Sequence, residues 1–303
     1  MVFSLGGFGY YLIMSLYMGD LFLTIGFITI VIIFFVIITI ISNIIFSVRI
    51  PKKFESISEF DTKLKWKSPL TIIGIILVSF IVFVAFFPEI FTQYGLNEIT
   101  RPYVAPGVPY DMPSSEHPLG TTKYGYDLLA LLVWGIRGSL MVGVVAIFIG
   151  LGGGLLFGFI TRRLSELGKN ILMGAMLIFY ILPSFIIIML ISLFFGWNFI
   201  GTMIIIGITL IPSFTRIIAN ALFLEVNVFK SIVKYIPLQI GIALIIYESI
   251  GFLGFSDASL VNLGLVTNFG LAVISNNLFV FILIPGATIV ILVIGFILLH
   301  EGL

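Results

Sequence analysis

The side chains here that could do chemistry are few, and they form no catalytic pattern. The chain has no cysteine, which removes disulfides, thiolate metal sites and thiol nucleophiles. His117 and His300 stand singly, with no cluster of carboxylates around either, so no metal site is predicted. No GxxxxGK[ST] run occurs, so there is no phosphate-cradling loop of that kind. Within the apolar runs no paired carboxylates, Ser/His arrangement or His cluster supplies the groups that an intramembrane enzyme needs. Glu248 is the exception, an acid well inside an apolar run. Such a group costs a few kcal/mol in a bilayer unless it is paired or hydrated. It either lines a watered path or bonds polar groups within a helical bundle.

Those residues must be carried by membrane helices. Of 303 residues, 60% are hydrophobic and 10% charged, and mean hydropathy is +1.26. A globular exterior of this size would need far more polar surface. The net charge of +1 provides no basic field for nucleic acid. Apolar runs at 21–48, 70–87, 139–161, 171–195, 199–223, 235–254 and 279–299 each approach the ~20 residues that span a bilayer core. The predicted fold is all-α, a polytopic bundle of seven membrane helices. Lysine and arginine bias sets its orientation. With the N-terminus out and the C-terminus in, twelve of the fifteen basic residues lie inside, leaving Arg101, Lys123 and Arg137 outside. The loop at 88–127, rich in proline and glycine, is then extracytoplasmic. It is too polar for lipid, where loop backbone would go unsatisfied. In the third run Gly150, Gly154 and Gly158 recur at helical spacing, a small-residue ladder that lets two helices approach closely.

Residues 114–140 resemble the conserved outer segment of the C-type permease subunit of oligopeptide/dipeptide ABC importers. The matching residues are His117-Pro118-Leu119-Gly120-Thr121, then Gly125 and Asp127, then Gly135, Arg137, Ser139 and Leu140. The likeness continues through Leu182-Pro183-Ser184, Pro212 with Arg216, Phe252-Leu253-Gly254 after Glu248, Phe269-Gly270 and Pro285-Gly286. It implies a type I importer permease over 69–303, joined by a cytoplasmic linker at 54–68. Residues 1–53 resemble instead the C-terminal end, with the last helix, of the B-type partner subunit. The expected layout is a fused B–C permease of which this chain holds the tail of B, through an internal methionine start or a truncated gene.

The resemblance implies a subunit with no catalysis and no cofactor of its own, ATP being used by partners. Those partners would be a second permease subunit or fused B-type half, two ABC ATPase subunits and an extracytoplasmic substrate-binding protein. All would assemble in the lipid bilayer of the cell membrane, without nucleic acid. Cargo would be peptides or oligosaccharides. One departure stands against this. The family carries an Ala-Ala…Gly coupling helix between the spans matching 199–223 and 235–254. Here Arg216 and Pro237 are only 21 positions apart, and the residual loop offers Glu225, Phe229, Lys230 and Lys234 without that motif. Gly174 and Leu177 stand where the family has arginine and aspartate, and Thr122 and Tyr126 replace polar or charged residues. The alternative is therefore a degenerate or accessory membrane subunit that does not transport by itself.

Overall fold

The computed structural model describes residues 11, 12, 14, 15, 18–49, 64–100, 108–181, 187, 188, 198–255, 257, 260–271 and 280–303. Its helices are α1 Leu21–Arg49, α2 Pro69–Phe86, α3 Leu96–Thr100, α4 Leu128–Thr161, α5 Glu166–Ile181, α6 Phe199–Phe223, α7 Val228–Phe252, α8 Leu263–Leu271 and α9 Val280–Gly302. No named strand occurs among the described residues; one isolated bridge pairs Thr121 with Asp127. In an apolar run the backbone can satisfy itself only locally, and a helix does so completely. By length and composition α2, α4, α6, α7 and α9 can each cross a membrane.

Polar residues at the ends fix where the helices begin. Asp127, Asn198 and Asn227 each accept a bond from the N–H three residues on, at 2.6, 2.6 and 2.9 Å. Asn262 does the same for Leu265 at 2.9 Å, and Pro69 sits in the first turn of α2. These are the side chains that satisfy orphan N–H groups at helix starts.

Three starts lie several residues ahead of the apolar runs, that of α5 at Glu166 against the run from 171. The run from 139 lies within a helix that already begins at Leu128. With 34 residues, α4 is about 51 Å long against a core of about 30 Å, longer than one crossing needs. Helix α7 likewise begins at Val228, ahead of the run from 235, because Asn227 caps it in the polar turn. Part of the run at 171–195, the Leu182-Pro183-Ser184 match, the motif at 2–9 and most of the linker at 54–68 lie outside the described residues.

The core forms where α4, α6 and α7 meet, around Val142, Ala146, Ile206, Phe214 and Ala243. The longest seam is between α4 and α6. Gly150, Gly154 and Gly158 face Leu210, Phe214 and Ile218 in register, so three knobs of α6 fill three gaps in α4. A methyl on Gly150 would lie 2.7 Å from Leu210 Cβ, and one on Gly158 would lie 2.6 Å from Ile218 Cγ2. A second cluster joins α2, α4, α8 and α9 around Ile81, Leu131, Leu263, Leu292 and Phe296.

Candidate functional site

The matching residues of the loop before α4 fold into one compact turn over the start of that helix. Gly120 and Gly125 have φ of +78° and +76°, in the left-handed region that side chains disfavour. At Gly120 a Cβ would also collide with the Asp111 carbonyl. Thr121 is buried and holds the strand-like arm before it. Its N–H donates to Asp111 O at 3.1 Å, and its hydroxyl donates to Val108 O at 2.5 Å while accepting from Asp111 N at 2.7 Å. Leu128 N donates to Gly120 O, which ties the turn to the helix.

His117 and Asp127 form the buried polar pair of this turn. His117 Nδ1 lies 3.1 Å from Asp127 Oδ2, and both side chains are buried. The other carboxylate oxygen, Oδ1, is the α4 cap, and Tyr94 stacks on the imidazole at 5.4 Å. Trp134 of α4 donates its indole N–H to Tyr94 O at 3.0 Å. Pro118 is exposed and Leu119 half-buried against the second core cluster. Arg137 lies over the Trp134 ring at 5.3 Å. Asp127 thus joins loop to helix twice. Asp127→Ala is expected to cost about 1–2 kcal/mol of thermal stability by loss of the cap, with Asp127→Asn losing much less. Melting of the two variants in detergent measures the difference.

Beside this turn lies a cavity of about 310 Å³, walled by Tyr124, Tyr126, Val266 and Phe269 with Asp257 and Asn262 among its polar groups. Lys123 places its ammonium 4.7 and 4.8 Å from the Tyr124 and Phe269 rings, within cation–π range. Burial, and secondarily Tyr124, push the Tyr126 and Tyr110 phenols up from their ordinary range. Thr122, one of the departures from the family pattern, buries a hydroxyl oxygen that has no hydrogen-bond partner among the described residues.

Glu248 sits below this region in α7 and is 3% exposed, so its partners decide its role. One oxygen bonds the Ser139 hydroxyl of α4; the other accepts Gly264 N–H, at the start of α8, at 2.7 Å. Asn262 adds a bond to Tyr247 O at 3.1 Å, and Asn268 one to Phe252 O at 2.8 Å. The packing requires small residues. A side chain at Gly264 would strike the Glu248 backbone, one at Gly251 would strike Asn262, and one at Gly138 would lie 2.8 Å from Val261 O. Glu248 therefore works as a remote cap for α8 that also anchors α4. It touches a cleft of about 390 Å³ with Ile245, Ser249, Phe252 and Ile289. Sequence reasoning singled out Glu248 and placed Ser139 in the motif. It missed α8, Asn262 and Gly264; the Asn-Leu-Gly order at 262–264 was the available signal, an N-cap residue before a short apolar helix.

The residual loop is remote from both. Helix α6 ends at Phe223 and α7 begins at Val228, so residues 224–227 form a tight turn. Glu225 takes a φ of +55° there, and Val226 N bonds Ala221 O. Phe229 and Lys230 are exposed on the first turn of α7. The Lys234 carbonyl accepts His300 Nδ1 at 2.8 Å, clasping α7 to α9.

No protein-family model matches the chain. Individual proteins do. The di/tripeptide transport system permease protein DppC of Pseudomonas aeruginosa is 30% identical over 155 residues, 51% of this chain and 51% of that protein. The dipeptide transport system permease protein DppC of Alkalihalophilus pseudofirmus is 25% identical over 267 residues, 78% of this chain and 84% of that protein. The glutathione transport system permease protein GsiD of Pectobacterium atrosepticum is 23% identical over 219 residues, 63% of this chain and 72% of that protein. The match thus spans about half of the first relative's length and most of the second's. By these similarities the chain is a relative of the DppC-type permease proteins of peptide transport systems.

Proposed function

We propose that this chain is a transmembrane permease subunit of an ABC importer that moves peptides across the cell membrane. The observation that carries the reading is the outer turn. The residues that match the family, His117, Gly120, Thr121, Gly125 and Asp127, are also those that build a rigid cap on α4. Similarity to dipeptide, di/tripeptide and glutathione permeases supports peptide cargo. The chain has seven membrane helices, the runs at 21–48 and 171–195 joining α2, α4, α6, α7 and α9. Its N-terminus lies outside and its C-terminus inside, as basic-residue bias requires. A second permease subunit, or a fused B-type half, completes the pore; two ATPase subunits drive it, and an extracytoplasmic binding protein delivers cargo. The aromatic cavity beside Lys123 faces that delivery side. Alternating access then follows from ligand and nucleotide each favouring one orientation of the paired bundles.

A second reading is favoured by residues 224–227. A coupling helix must leave the headgroups and present two or more turns of about 5.4 Å each, and a four-residue turn between α6 and α7 does not reach that far. The accessory reading keeps the bundle without ATP coupling. Proteoliposomes holding this chain with a cognate ATPase pair and binding protein distinguish the two. The importer reading expects ATP-dependent uptake of labelled dipeptide and stimulated ATPase. A chain that neither binds the ATPases nor changes their rate would sink it.

A further inference from the structure

The inner end of α4 carries a groove that the transport reading does not use. It is lined by Gly152, Leu155, Leu156, Phe159 and Ile160 and closed at one end by Arg162 and Arg163, with a volume of about 900 Å³. Leu156 and Phe159 are 60% and 46% exposed. Gly152 opens the far end, since a Cβ there would meet nothing within 4 Å. Both arginines are exposed, and among the described residues neither side chain has an ion-pair or hydrogen-bond partner. The C-terminal end of a helix tolerates such cations but needs neither.

We propose that this groove binds one anionic phospholipid of the inner leaflet, its phosphate on Arg162 and Arg163 and an acyl chain along the α4 wall down to Gly152. Charge and length select this occupant. Two adjacent guanidiniums offer forked donors matched to phosphate oxygens. From Arg162 back to Gly152 is ten positions, about 15 Å of helix, which is half of a core about 30 Å thick. An apolar wall as deep as one leaflet, topped by two cations, fits a lipid better than a free anion, which would leave the wall bare. The proposal rests on the membrane orientation given above, but not on transport, because lipid retention is measured without uptake.

Native mass spectrometry of the detergent-purified chain, delipidated and titrated with phosphatidylglycerol or phosphatidylcholine, tests it. Wild type is expected to retain phosphatidylglycerol on the order of tenfold better than phosphatidylcholine, as two interfacial cations allow. Arg162→Gln with Arg163→Gln abolishes the preference. Gly152→Leu, placed in open space, lowers retention of phosphatidylglycerol while leaving the melting temperature unchanged. Equal retention of the two lipids by wild type overturns the proposal, as does an unaltered preference in the double arginine variant. Displacement of phosphatidylglycerol by millimolar inorganic phosphate would make the site a small-anion site instead. Efficient cross-linking of Gly152→Cys to another protein chain in native membranes would make the groove a protein interface and overturn it as well.

Discussion

Glu248→Leu is expected to lower the stability of the folded bundle by about 1–3 kcal/mol, the cost of leaving a buried donor unsatisfied, while Glu248→Gln stays close to wild type. The leucine removes the acceptor for Gly264 N–H at the start of α8 and cuts the tie to Ser139 on α4. Glutamine keeps the geometry. Its carbonyl accepts Gly264 N–H, its amide donates to the Ser139 oxygen, and the Ser139 hydroxyl hydrogen is then directed to Gly135 O, 2.8 Å away. Thermal unfolding in detergent, followed by tryptophan fluorescence, measures both variants. A leucine variant that melts with wild type would remove the capping role. A glutamine variant that melts with wild type yet loses dipeptide uptake would instead give Glu248 a part in the transport path.

The second large effect is expected at the seam between α4 and α6. Gly154→Leu would force a side chain against the Phe214 backbone, whose carbonyl carbon and Cα lie 3.0 and 3.1 Å from the Cβ position. Backbone cannot swing aside as a side chain can, so the helices must separate. Overpacking of this kind costs about 1–3 kcal/mol, and separation also forfeits the packing on which membrane helices depend in place of a hydrophobic drive. Gly152→Leu, two positions away on the open side of the same helix, is the control and is expected to melt unchanged. Equal melting of the two leucine variants would mean that the seam is looser than its geometry.

Both effects trace to features that were legible to different degrees. Apolar run length by itself specified helices at 199–223 and, within a few residues, at 70–87 and 279–299. In a bilayer a single long apolar run satisfies its own backbone bonds as a helix, so run length sets the element. The glycine spacing at Gly150, Gly154 and Gly158 likewise marked one helix face from sequence, because i, i+4 positions share a face. It could not say which helix would fill that face. Phe214 and Ile218 sit on α6, more than fifty positions downstream of their glycines, and only the packed bundle aligns them.

The same division runs through the polar residues. The motif contains both His117 and Asp127 without pairing them; the loop's turns at Gly120 and Gly125 bring them to 3.1 Å and make Asp127 both the imidazole's partner and the helix cap. For Glu248 the sequence determined that a buried carboxyl needs company, since an unpaired one is too costly in lipid. It left open whether that company is water or protein. Tertiary structure supplied protein partners, by setting Ser139, 109 positions away, and Gly264 N–H around one side chain. Local pattern and composition fix elements because bilayer and backbone act locally. Partners across the bundle depend on which surfaces fit, and that is a property of the folded whole.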